Sequence, residues 1–166
     1  DKISDKKKQY LSGLGKGELV GEQCEHPIAQ DDIDIIVNKK NPIEELPFED
    51  LKKIYNGDQI EWLNLRSNGE KRIKVYSRDD TSGTFSVFNE VIPIDKDKLK
   101  NYLIFCKDHL EMSNAISKDV MAIGYVSSAF VGNTKIVTIT KHTSTPFKRN
   151  LFLYTLKENY YSEFKK

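Results

Sequence analysis

The hydrophobic positions of this chain come in short bursts whose spacing alternates between two periods. Ile33-Asp34-Ile35-Ile36-Val37 is a dense β-branched run, the pattern of a strand covered on both faces in an α/β sheet. The polar stretch Asn38-Lys39-Lys40-Asn41-Pro42 ends it. From Leu46 to Gly57 the apolar positions Phe48, Leu51, Ile54 and Tyr55 fall at helical spacing, with acids in the first turn, lysines later and glycine at the stop, which predicts a helix. Ile73 to Tyr76 alternates like a strand, and Phe85, Phe88, Val91 and Ile92 form the buried stripe of a following helix. Leu99, Leu103, Cys106 and Leu110 repeat at helical spacing and predict a further helix within Asp95 to Leu110. Ala122 to Val126 reads as a strand with a helix start at Ser127-Ser128, and Lys135 to Ile139 and Leu151 to Tyr154 read as two more strands. A short helix around Lys6 to Leu11 and a closing helix over Leu156 to Phe164 complete the pattern. Strands alternating with helices predict an α/β fold, a layered sheet with flanking helices, and no internal repeat or heptad run competes with that reading.

Composition narrows the class. At 166 residues the chain can bury one real core. Its 26 basic and 25 acidic residues leave a net charge of +1, so no global field draws in nucleic acid or anionic lipid, and Lys6-Lys7-Lys8 and Lys165-Lys166 read as solvated termini. No apolar run approaches the roughly 20 residues that span a bilayer. The sequence starts at Asp1 without an initiator methionine or an apolar signal region, which suits a mature form or an excised segment. Cys24 and Cys106 stand 82 positions apart with no Cys-x-x-Cys and no histidine at ligand spacing, so neither a metal nor a cofactor is expected. They read as two buried thiols, with a single disulfide left open for an exported protein. His26, His109 and His142 are isolated and read as surface or capping residues, and Trp62 as a core plug. Gly13-Leu14-Gly15-Lys16-Gly17 fails the Walker pattern, because Tyr10 and Gly17 stand where a glycine and a Ser or Thr are needed.

The stretch with the most chemistry is Arg78-Asp79-Asp80-Thr81-Ser82-Gly83-Thr84, between the strand ending at Tyr76 and the helix beginning near Phe85. A helix start presents unpaired N–H groups and the positive end of the helix dipole. Ser82 and Thr84 add hydroxyls, Gly83 admits close approach of the backbone, and Arg78 brings a planar fork that matches a tetrahedral oxyanion. The same residues also suit an ordinary capped helix, with Thr81 or Ser82 as the N-cap.

Several segments in order resemble one family, the phosphate-binding receptors of phosphate ABC importers, which have type II periplasmic-binding-protein folds. Ile28-Ala29-Gln30-Asp31-Asp32-Ile33-Asp34-Ile35-Ile36-Val37-Asn38 resembles the family's strand ending in Val-Asn at the crossing between lobes. Asn41-Pro42 through Leu51, Ile54, Gly57, Ile60 and Trp62 resembles its helix segment, and Arg78-x-Asp80-x-Ser82-Gly83-Thr84 its anion loop. Ala122 to Val126 and Pro146 to Tyr154 resemble its later strand and the strand returning to the first lobe. The resemblance covers roughly residues 28 to 155.

It implies that Arg78, Ser82, Gly83 and Thr84 hold phosphate oxygens and that Asp80 orients the Arg78 guanidinium through an ion pair, with Asp79 a spectator. It also implies a membrane permease as partner and an extracytoplasmic location, either periplasmic or at the cell surface, a lipid anchor on the longer protein included. The family's first-lobe anion loop and its carboxylate have no counterpart here, so the chain is expected to be the second lobe of such a receptor without its first-lobe segment. The expected division is a lead-in over 1–27, an anion-binding lobe over 28–146, and a returning strand with C-terminal helix over 147–166. Two other functions stay open: a surface adhesion or signalling module with a vestigial anion site, and, weaker, a phosphoryl-transfer or hydrolytic enzyme, for which no nucleophile and base cluster is legible.

Overall fold

The structure, a computed structural model, describes residues 25–62, 71–142 and 147–154, with the backbone alone at 25, 27–29 and 149–154. The expected helices at Lys6 to Leu11 and Leu156 to Phe164, the glycine-rich segment 13–17 and Cys24 lie outside the described residues. The chain divides into two compact units, one drawn from Asp1–Asp31 and Arg149–Lys166, the other formed by Asp32–Lys148. In the first, the described elements are the beginning of strand β1 (Glu25–Asn38) and strand β8 (Lys148–Tyr154), which pair with each other.

The second unit holds the sheet. Its elements in order are the rest of β1, β2 (Glu45–Pro47), α1 (Phe48–Tyr55), β3 (Lys74–Arg78), α2 (Gly83–Val91), β4 (Leu103–Cys106), α3 (His109–Lys118), β5 (Ala122–Ser127), a 3-10 turn (Ser128–Phe130), β6 (Thr134–Ile136) and β7 (Thr138–Thr140). The sheet runs in the order β4-β3-β5-β1-β6. β3 is parallel to both neighbours, β4 and β5, whereas β1 is antiparallel to β5 and β6. The dense run at residues 33–37 is therefore a central strand of a mixed sheet. Its alternate side chains enter different cores, as the two-residue period of a strand requires. Ile33, Ile35 and Val37 join Val75, Ile123, Tyr125 and the stripes of α1 and α2, while Ile36 joins Tyr76, Ala122, Val126 and the Met112 and Ile116 of α3.

The helix expected from Leu46 begins at Phe48, because Leu46 and Pro47 extend β2 beside Ile139 and Thr140 of β7. It ends where the pattern placed it: Gly57 has φ +78°, and a Cβ there would stand 2.6 Å from the Cβ of Lys98. Trp62 is buried, and its indole N–H donates to the Met121 carbonyl at 3.0 Å, as a core plug with a satisfied donor should. The expected strand Lys135 to Ile139 is split at Val137, whose amide donates to the Ile35 carbonyl at 2.9 Å while the chain passes from β1 as partner to β2.

The helix expected within Asp95 to Leu110 is not formed. The Asp95 carboxylate accepts the amides of Asp97 (3.1 Å) and Lys98 (2.9 Å), closing a turn, and Leu103 to Cys106 then pair with β3 as an edge strand. Four apolar residues at helical spacing coincide with a buried turn residue, Leu99, a strand, and Leu110, which is 60% exposed. The helix comes later, as α3. Asp108 caps it by accepting the Glu111 amide at 2.7 Å, and the Glu111 carboxylate accepts the Lys107 amide at 2.7 Å.

Two consequences can be measured. A Cβ at Gly124 would lie 2.6 Å from Ile116 Cδ1 and 2.9 Å from Met112 Sδ, both inside the core under α3. Gly124→Ala is thus expected to destabilise by roughly 1–3 kcal/mol through overpacking, seen as a melting temperature several degrees lower; an unchanged one would mean that α3 shifts freely. Cys106 is a free, buried thiol, and burial, with a smaller contribution from Glu111, pushes it up to about 11. At pH 8 only about one thiol in a thousand is then thiolate, so peptide mapping after iodoacetamide treatment is expected to find Cys106 unlabelled in the folded protein and labelled in urea.

Candidate functional site

Because β3 is parallel to β4 and β5, the three strands end at one edge of the sheet, with Arg78, Cys106 and Ser127 as their last residues. The loops after β3 and β4 lead directly into α2 and α3, so both helices begin at that same edge. In open α/β sheets this is where ligands bind, outside the carboxyl ends of the strands.

The backbone at Arg78 is fixed by a buried network whose directions can be derived. The Arg78 amide donates to the Tyr125 hydroxyl at 3.2 Å, and the Ser77 hydroxyl donates to the Arg78 carbonyl at 3.0 Å. The 2.9 Å contact between the Tyr125 and Ser77 hydroxyls is then donated by tyrosine, the only proton left to supply it. Both residues are fully buried, and the Tyr125 ring stacks on Phe88 of α2 with centroids 3.9 Å apart and planes 5° from parallel. Burial raises the Tyr125 hydroxyl above its ordinary range, which keeps it protonated as the network needs.

The Arg78 side chain is half-buried, and its Nε donates to the Cys106 carbonyl at 3.1 Å. Arg78 and Cys106 are register partners, so this acceptor lies beside it by construction of the parallel ladder. Among the described residues no carboxylate pairs with the guanidinium. The expected Arg78–Asp80 ion pair is absent there, and Asp80 instead pairs with Lys96 in an exposed contact. Lys96 is held in turn over the rings of Phe85 (5.2 Å) and Phe105 (5.7 Å). The orienting role assigned to Asp80 is thus taken by a backbone carbonyl.

Asp79 is more than a spectator. Its carboxylate accepts the Thr81 amide at 2.9 Å and the Thr81 hydroxyl, folding the loop; chiefly these bonds, and then the charge of Arg78, hold it below the usual carboxylate range. Ser82 is the N-cap of α2, and its oxygen accepts the Phe85 amide at 3.4 Å. The hydroxyl proton of Ser82 has no acceptor among the described residues. Gly83 is the first helical residue, and Thr84, 1% exposed, follows it.

Sequence reasoning reads His109 as a surface or capping residue; it is the first residue of α3 and is half-buried. Its Nε2 lies 3.2 Å from the Thr84 hydroxyl, and its Nδ1 accepts the Ser127 amide at 3.3 Å. Phe130 stacks against the ring, centroids 5.2 Å apart. The only sequence signal was its position directly after the capping Asp108. No group of His, Cys, Asp and Glu among the described residues could hold a metal ion, and no helix among them is long and apolar enough to cross a membrane.

Known proteins are similar to this chain in sequence and in fold. The chain is 33% identical over 135 residues to the phosphate-binding protein PstS of Staphylococcus saprophyticus, covering 80% of this chain and 40% of that protein. It is 30% identical over 181 residues to PstS of Staphylococcus epidermidis, covering 95% and 53%. The chain therefore spans about half or less of these curated relatives. A Clostridium perfringens protein solved with bound phosphate superposes with a TM-score of 0.71 at 27% identity, covering 89% of this chain and 68% of that one. An ABC-type phosphate transport receptor from Vibrio cholerae has the same fold, with a TM-score of 0.64 at 20% identity over 86% and 64% of the two chains. Matched over residues 1–163, this chain belongs to the family described as the PBP superfamily domain.

Proposed function

We propose that this chain supplies a phosphate site to the solute-binding component of an ABC importer, working outside the cytoplasm with a membrane permease as its partner. The observation that carries the reading is Arg78: a guanidinium braced through Nε on the Cys106 carbonyl, unpaired with any carboxylate among the described residues, on the residue that opens the loop into α2. An arginine held this way keeps both terminal nitrogens for a planar, two-bonded grip on an oxyanion, with the Ser82 hydroxyl and the first-turn amides beside it. The relatives named for phosphate binding, and the phosphate in the Clostridium perfringens protein, support the choice of anion. Groups that only donate bind an oxyanion and leave its bonds intact, which favours carriage over catalysis. A second reading, an interaction module, is favoured by one observation: Phe105 on β4 and Leu110 on α3 are 49% and 60% exposed.

Calorimetric titration tests the first reading. Arg78→Ala is expected to weaken phosphate binding at least about tenfold, since a hydrogen bond to a charged group is worth roughly 1.5–3 kcal/mol. Asp80→Asn is expected to stay within about twofold of the parent, because its carboxylate serves Lys96. Equal losses in both variants would restore the ion pair with Arg78, and no loss in the first would remove the site. Sulfate is expected to compete within about tenfold of phosphate, because donors alone do not sense the proton that hydrogen phosphate carries.

A further inference from the structure

We propose that His109 is a positioning residue of this anion site, tying the first turn of α2 to the end of β5 and so fixing where the donors of the loop stand. The inference rests on the anion reading of the Arg78 loop and deepens it. An amide N–H can only donate, so the bond from Ser127 makes Nδ1 the lone-pair nitrogen of the imidazole. The neutral ring then carries its proton on Nε2 and donates it to the Thr84 oxygen 3.2 Å away. Thr84 is the second residue of α2, Ser127 the last of β5 and His109 the first of α3, so one side chain joins three elements at the edge where Arg78 also ends. Both anchors are shielded from water, with Thr84 1% and Ser127 4% exposed, and Phe130 covers a face of the ring. Helix α3 itself does not call for a histidine there, because Asp108 already makes the capping bond.

Two near-isosteric replacements separate positioning from packing. In His109→Gln the side-chain amide reaches the place of Nε2 and can donate to Thr84, whereas in His109→Asn it stops at the place of Nδ1 and cannot. On the whole chain, phosphate titration is expected to show a roughly three- to tenfold loss for the asparagine variant and recovery of most of that loss by glutamine, with similar melting temperatures. Long-range proton–nitrogen NMR of the parent protein is expected to show the Nε2–H tautomer. The proposal is overturned if the two variants bind alike, if losses simply follow a fall in melting temperature, or if the proton sits on Nδ1. Failure of the parent protein to bind phosphate would instead sink the anion reading, while the tautomer measurement still judges the geometry on its own.

Discussion

The arrangement at the sheet edge depends on one constraint, the parallel pairing of β3 with strands on both sides. Parallel strands end together, and the register that sets Arg78 opposite Cys106 also supplies the carbonyl that holds the guanidinium. Were β4 antiparallel, its last residue would sit at the far edge and α3 would begin there too. The same pairing lets Tyr125, on β5, reach across to the backbone of Arg78 on β3. A buried hydroxyl network of this kind is rigid because each proton has one destination, and a half-satisfied version would cost more than an apolar core.

Most of the architecture was legible because it follows from local period and punctuation. The central strand, α1 with its glycine stop, the strand into Arg78 and the helix after it all combine a hydrophobic repeat with a boundary signal. The failure at residues 95–110 shows the limit of period alone. Leu99, Leu103 and Cys106 match a helix in spacing, yet the edge of β3 offers Leu103–Cys106 a ladder of hydrogen bonds, and tertiary pairing outweighs a few tenths of a kcal/mol of propensity. The better guide was a polar pair, Asp108 and Glu111, whose exchange of bonds with the backbone marks the true helix start.

The residues of the candidate site were legible as neighbours on one loop and less so as partners. Spacing put Arg78, Ser82, Gly83 and Thr84 on one loop, and they do share it. Which acid or carbonyl steadies the arginine depends on the neighbouring strand, 28 positions away, and no local pattern encodes that. Asp80, two residues from the arginine, looked like the natural partner; being exposed, it gains little from any one cation and settles with Lys96. His109 reads as a surface or capping residue for the same reason, since its bonds to Thr84 and Ser127 run to residues 25 behind and 18 ahead in the sequence.

Charged and neutral groups divide the work at this corner. The exposed charges, Asp79, Asp80 and Lys96, shape the loop from outside, where water screens them and salt weakens them. Among the described residues, the framework behind that loop is built from the hydroxyls of Ser77, Ser82, Thr84 and Tyr125, from backbone carbonyls and amides, and from the half-buried ring of His109. The Arg78 guanidinium is a formal charge braced directly on that framework, through the Cys106 carbonyl. A carboxylate in the Asp80 position and in contact with Arg78 would neutralise it and compete with an incoming oxyanion. A carbonyl fixes its direction and leaves its charge intact, which is the brace that the proposed anion reading calls for.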